Sequence, residues 1–168
     1  LNPITELDER YSSTGAVAVP WADGESLLEK AGIYWLSSVR PDGRPHVTPL
    51  IGVSADGAFH FCTGPRERKA LNLVENHNVV VTTGTNDYHS GMDVVVEGRA
   101  ERIVDRPTLH KLADAYLAKY GEDWRFEVGD EGGFGTGDDL AWVFRVAPAI
   151  AFGFGRGEVA SQTKWTFP

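Results

Sequence analysis

The sequence predicts a mainly β chain: six to seven antiparallel strands forming a barrel, with two or three helices appended. Three observations carry this. Short runs rich in β-branched and aromatic residues recur along the chain. Turn chemistry separates them, as in Pro41-Asp42-Gly43 and Ala55-Asp56-Gly57. Only a few segments keep a helical period. At 168 residues and 18.4 kDa, with 42% hydrophobic content, the chain suits one domain with a core of its own.

Residues 1–23 carry little pattern and read as an N-terminal arm, leaving 24–168 as the domain. Residues 25–32 (ESLLEKAG) read as a short helix with Leu27, Leu28 and Ala31 on one face and Gly32 as its stop. Residues 33–40 (IYWLSSVR) and 46–53 (HVTPLIGV) read as paired strands, with Pro49 marking an edge or bulge. Residues 58–63 (AFHFCT) complete a meander. The period then changes: 65–76 (PRERKALNLVEN) suits a helix with Pro65 at its first position and Ala70, Leu71 and Val74 inward. Residues 78–83 (NVVVTT) and 92–104 (MDVVVEGRAERIV) are further strands, the second bending at Gly98.

The clearest helix is 107–120, where Leu109, Leu112, Ala113, Tyr116, Leu117 and Tyr120 share one face and Gly121 ends it. Residues 140–147 and 149–154 read as two strands split by Pro148, and 161–167 as a tail after a glycine-rich turn.

Charge is unevenly placed. The net charge is −8, which argues against general nucleic-acid binding. Residues 122–139 hold seven acids and one base, a balance of −6, and read as a solvated loop, with a lid as the alternative. Residues 40–72 hold five bases and three acids, a balance of +2. The basic part is concentrated in Thr63-Gly64-Pro65-Arg66-Glu67-Arg68-Lys69, where a strand end runs into a helix start. Free backbone N–H groups and the positive helix end favour an anion there, and Arg, Lys and Thr add donors. Basic residues in a first helical turn oppose the dipole, a cost that a bound anion offsets. The expected ligand group is a phosphate; a solvated basic face is the alternative.

The order of elements, together with this motif, resembles the pyridoxamine-phosphate-oxidase-like split β-barrel family. The resemblance rests on YWLSSVRPDGRPHVTPLIGV, AFHFCTGPRERKALNLVENHNVVVTTG, MDVVVEGRAERI and FRVAPAIAFGFGRGEVASQTKW, and spans nearly the whole chain. It implies a Greek-key-like split barrel that dimerises and holds FMN or the deazaflavin coenzyme F-420 in grooves between protomers. The chain looks most like the actinobacterial flavin and deazaflavin oxidoreductase branches.

By that resemblance Thr63, Arg68 and Lys69 grip the phosphate, with Arg66 assisting. His46, Val47, Thr48 and Pro49 line the isoalloxazine ring. Asp93 stands nearest to a glutamine that touches the ring in the oxidases proper. Lys164 and Trp165 correspond to a basic and an aromatic residue that reach the cofactor across the dimer. Two departures matter. The oxidases carry an arginine near the position of His46, and their tail holds an Arg-x-His pair for pyridoxal phosphate where this chain reads Ser161-Gln162-Thr163-Lys164. Pyridoxamine phosphate oxidation is therefore not expected. F-420 carries a polyglutamate tail, for which Arg40, Arg44 and Arg66 offer an exit groove, unless they serve solvent.

Other candidates are weaker. The histidines His46, His60, His77, His89 and His110 show no metal-ligand spacing and no haem-ligand context, so no metal is expected. His60 alternates with Phe59 and Phe61 as a core residue, and His89 beside Tyr88 reads as exposed loop. Cys62 reads as a small buried strand residue, and as the single cysteine it fits a reducing compartment. The Gly-rich runs at 133–137 and 153–157 lack the βαβ context of a nucleotide loop. With no apolar run of membrane-spanning length and no signal-like start, a cytoplasmic protein is expected. The expected function is hydride transfer between FMN or F-420 and a small organic substrate, with no side chain singled out as catalytic. A carrier or storage protein for the cofactor, without turnover, is the alternative.

Overall fold

The structure is a computed structural model describing residues 2–168. Leu1, the first residue of the expected arm, lies outside the described residues. Its strands are β1 (Ile4–Leu7), β2 (Tyr34–Val39), β3 (Pro45–Leu50), β4 (Val53–Ala55), β5 (Ala58–Thr63), β6 (Asn78–Thr83), β7 (Met92–Ile103), β8 (Val128–Gly129), β9 (Gly133–Phe134), β10 (Trp142–Gly155) and β11 (Ser161–Thr166). The helices are α1 (Trp21–Lys30), α2 (Arg68–Glu75) and α3 (Arg106–Tyr120).

One antiparallel sheet runs β1-β11-β10-β7-β6-β2-β3, and β5 joins it through β10 and carries β4. β10 makes the split. One of its edges follows β7 throughout, while the other pairs with β5 over residues 142–146 and with β11 over residues 150–155. The two strands expected from residues 140–154 are thus one. Pro148 marks a bulge rather than an end, because it costs one ladder donor while the chain continues past it. Gly98, the expected bend, sits inside a continuous β7 opposite Pro148, where the register shifts. A side chain there would overlap the Ala147 carbonyl, so glycine permits the close approach at the bulge.

Two apolar clusters fill the molecule. The larger lies inside the barrel, around Leu36, Phe61, Val81, Val96, Val146 and Trp165. The second lies under α3, where Leu109, Leu112 and Tyr116 meet Val143 and Phe134. Asp105 caps α3 by accepting from the Thr108 N–H at 3.0 Å, and Gly121, at φ +83°, ends it.

Other expectations change as well. The first 23 residues are not a loose arm: β1 pairs with β11, and α1 begins at Trp21, which packs edge-on against Trp165 at 5.2 Å. α2 begins at Arg68, not Pro65, because Glu67 is extended and the Glu67 N–H closes a turn onto the Gly64 carbonyl. Its buried residues are Ala70, Asn72 and Leu73, while Leu71 and Val74 face out. Asn72 donates to Ser38 Oγ at 2.9 Å, and this tie turns the helix away from its most apolar face.

Residues 122–139 are only partly a solvated loop. Their acids face water, but Phe126 and Phe134 stack at 4.6 Å against α3, and Arg106 and Arg66 pair with Asp130 and Asp138. No helix among the described residues is long and apolar enough to cross a membrane.

Candidate functional site

The site forms where β5 ends, α2 begins and β3 passes beside them. Thr63, the last residue of β5, is buried. The Gly64 N–H donates to Glu67 Oε1 at 2.8 Å, and the Lys69 ammonium pairs with Glu67 Oε2. Lys69 is nearly buried, whereas Arg68 is exposed at the first turn of the helix. A cavity of about 470 Å³ opens beside them, with Thr63, Gly64 and Lys69 at one end and Ile51, Trp124 and Phe126 among its apolar walls.

β3 presents two different faces to its surroundings. The register with β2 sets His46 opposite Ser38 and Thr48 opposite Leu36, so both point to the side that α2 covers. Here burial and then the charges of Arg40, Lys69 and Arg68 lower the His46 pKa, which keeps its imidazole neutral at pH 7. His46 Nδ1, Thr48 Oγ1 and Arg40 Nε are all buried without a hydrogen-bond partner among the described residues. Such groups are costly in a protein interior unless a ligand or water meets them.

Val47 and Pro49 point the other way, beside Ser37 and Trp35. The four β3 residues expected along one ring are therefore divided, although Pro49 also borders the cavity.

The remaining expected residues lie elsewhere in the protomer. Arg66 pairs with Asp138 at 3.1 Å on the surface, straddling a second opening beside Gly64. Asp93 is opposite Phe154 and binds Arg156 at 2.7 Å, while Thr63 is opposite Trp142 at the other end of β10. Lys164 is opposite Phe152 and Glu6 on the outer face of the sheet.

Trp165 corrects the expectation most plainly. It is fully buried in its own protomer's core, with its indole N–H donating to the Val19 carbonyl at 2.9 Å, and has no surface to offer a ring.

Val47, Pro49, Asp93 and Lys164 nevertheless share one surface. They alternate outward with Trp35, Val95, Phe152 and Phe154 across the outer face of the sheet. Trp35 is 50% exposed and Val47 52% exposed, large apolar side chains open to solvent on this face.

Sequence reasoning passed over Glu67 and gave Arg40 only to an exit groove. Glu67 was legible as an acid set among the three bases Arg66, Arg68 and Lys69, but only folding brings its carboxylate onto Lys69 and Gly64. Of the other groups considered, His60 is buried and its pKa falls to about 4, first through burial and then through Arg145. Burial pushes the Cys62 thiol up to about 11, so it is inert as a nucleophile at neutral pH. Tyr88 and its loop are exposed, as expected. No group of three or more metal-ligating side chains occurs among the described residues.

Comparison with known proteins places this architecture. The fold is similar to that of a conserved hypothetical protein from Mycobacterium tuberculosis (TM-score 0.65, 18% identity, 90% of this chain and 88% of that one). It is similar to HutZ, the heme storage protein from Vibrio cholerae (TM-score 0.59, 16% identity, 76% and 88%). A heme binding protein from Mycobacterium smegmatis is also similar (TM-score 0.64, 17% identity, 86% and 59%). At these identities the likeness establishes the fold alone. Among curated proteins no sequence matches. The family profile described as pyridoxamine 5'-phosphate oxidase matches residues 23–148, three quarters of the chain, from within α1 to the middle of β10. With its split barrel, the chain belongs to the pyridoxamine 5'-phosphate oxidase family.

Proposed function

We propose that this protein binds a phosphate-bearing flavin, FMN or the deazaflavin coenzyme F-420, and is an oxidoreductase acting on a small organic substrate. One observation carries the reading: Arg40, Lys69 and Arg68 act on a neutral His46, polar atoms of Arg40, His46 and Thr48 are buried without partners, and Lys69 also lines an apolar cavity. A phosphate satisfies the cations and the orphaned donors, and an apolar ring fills the cavity. The residues present therefore fit such a group.

Arg68 and Lys69 hold the phosphate by charge-assisted bonds, with Thr63 adding a hydroxyl. Neutral His46 and Thr48 offer hydrogen bonds without adding charge. Trp124, Phe126 and Ile51 keep water from the ring. When bound, the cofactor supplies the hydride chemistry, and the protein supplies position and surroundings. Pyridoxamine phosphate is not the proposed substrate, because the tail at residues 161–164 has no Arg-x-His pair.

The working unit is proposed to be a homodimer. Trp35, Val47 and Phe154 are exposed on the outer face, and a second copy covering that face brings the partner's Asp93 and Lys164 toward β3. A cytoplasmic location is proposed on the strength of a single, half-buried cysteine.

A binding-only role is the second reading. The ionisable groups lining the cavity are Cys62, Glu67 and Lys69. The thiol is inert, and the other two are paired with each other. The names of the two heme-binding relatives agree with storage or carriage.

The test is titration of the purified protein with FMN, F-420 and haemin, followed by assays for oxidation of the reduced cofactor by quinone and nitro acceptors. Binding of FMN or F-420 with acceptor-dependent oxidation supports the oxidoreductase. Tight binding without oxidation selects the carrier, and binding of haemin alone rejects both flavin readings.

A further inference from the structure

The carboxylate of Glu67 lies on the donors that a phosphate at this loop needs. The Gly64 N–H donates to Oε1 at 2.8 Å and the Lys69 ammonium pairs with Oε2. Burial works against ionisation here, yet Lys69, the Gly64 N–H and the Thr63 hydroxyl together lower the Glu67 pKa, so the group is a carboxylate at pH 7. The side chain folds back over Gly64, so that a Cβ there would stand 3.4 Å from Oε1.

This posture does not serve helix capping. Glu67 is the N-cap residue of α2, but its side chain makes no cap bond. Nor are the two ionic partners equivalent: the Lys69 side chain is 11% exposed and the Glu67 side chain 51% exposed. The base is held in place, and the acid has solvent to swing into.

We propose that Glu67 is the specificity-determining residue of the anion site, an internal anion that a ligand's phosphate displaces, favouring a singly charged phosphodiester over a doubly charged phosphomonoester. The proposal rests on the phosphate reading above. Its physical basis is that carboxylate and phosphate oxygens take the same donors in the same geometry. Once displaced, Glu67 remains tethered next to Arg68 and repels the ligand in proportion to the ligand's charge. A dianion therefore meets about twice the penalty of a monoanion. A ligand with a ring to bury in the cavity offsets the penalty, whereas free phosphate does not.

Three ligands that share one ring separate these effects: riboflavin without phosphate, riboflavin 4′,5′-cyclic phosphate as the monoanionic diester, and FMN as the monoester. They are titrated against the full chain, Glu67→Gln, Glu67→Ala and the double variant Arg68→Ala/Lys69→Ala. Glu67→Gln keeps the size and an acceptor for the Gly64 N–H while removing the charge. The expected result for both Glu67 variants is FMN affinity tighter by roughly tenfold, cyclic phosphate tighter by about threefold, and riboflavin unchanged.

Equal gains for FMN and the cyclic phosphate overturn the proposal, as does unchanged or weaker FMN binding by folded Glu67→Gln. If the double variant still loses FMN affinity in that case, the phosphate site stands and only the role of Glu67 falls. If the full chain binds none of the three ligands, the Glu67 proposal falls, and the F-420 titration above decides whether the site reading stands. If Glu67→Ala unfolds and Glu67→Gln does not, the glutamine variant decides. Unfolding of both makes Glu67 a structural tie of the loop and overturns the proposal.

Discussion

Strands β3 and β6 flank β2 on either side, and their patterns run opposite to each other. β6 turns Val79, Val81 and Thr83 into the core and leaves Asn78, Val80 and Thr82 toward the outer face. β3 turns His46 and Thr48 toward the molecule and presents Val47 and Pro49 to the outside. A strand that only had to fold would follow β6, because buried polar atoms without partners and exposed valine both cost free energy. The inversion of β3 marks a strand whose two faces meet other partners: a polar ligand inside and an apolar surface outside.

The largest expected effect lies on the orthodox side of this comparison. Trp165 faces inward from β11 as Val81 does from β6. Trp165→Ala is expected to lower stability by about 3–5 kcal/mol in urea melts, through loss of apolar contact and the cavity left behind. A variant that remains as stable as the parent, but binds flavin poorly, would return Trp165 to the cofactor and undo the comparison.

On the inner side of β3 the expected signature is the reverse. Arg68→Ala combined with Lys69→Ala is expected to weaken FMN or F-420 binding by at least ~3 kcal/mol, since two charge-assisted bonds are lost, while the melting temperature moves little. Equilibrium titration beside a thermal melt reads both at once. Retained affinity places the phosphate elsewhere.

His60 offers a pH test of the normally packed core. Its pKa is lowered from 6.5 to about 4 by burial, so the folded protein keeps it neutral where the unfolded chain takes up a proton. Stability is expected to be full above pH 6.5 and to fall as the pH drops toward 4, by up to about 3 kcal/mol from this group. His60→Gln should flatten that part of the profile in urea melts at a series of pH values. An unaltered slope would assign the loss to other groups.

The outer side of β3 gives the smallest effect on a single chain and a clear one on assembly. Val47→Glu places a charge in the exposed strip beside Ser37 and Trp35. It is expected to change monomer stability by less than about 0.5 kcal/mol, as surface substitutions do, and to shift the molecular mass in light scattering from dimer to monomer. A parent that is already monomeric would leave the inversion of β3 without its apolar partner.

The strand and helix order was legible because period and turn chemistry are local. Pro41-Asp42-Gly43 turns β2 into β3, and the spacing of Leu109, Leu112, Ala113 and Tyr116 marks α3. Faces were less legible. Leu71 and Val74 look like the core side of α2, but the bond from Asn72 to Ser38 rotates them outward. Residues 1–23 look unpatterned because a four-residue edge strand carries little signal until β11 is there to pair with it. The basic motif at 63–69 was visible as composition, yet the acid inside it and the arginine one strand away acquire meaning only as neighbours.

The amino-acid order alone determined the β-rich class, the element sequence, the uneven charge and the candidate anion loop, all properties of residues close together in the chain. Tertiary structure decided which of those residues meet. It carried Arg40 and His46 beside Lys69, folded Glu67 onto Gly64, sent Trp165 into the core and divided β3 between two faces. The reason is physical: hydrogen-bond register and packing set side-chain direction across strands, and neither is encoded within the span of a local motif.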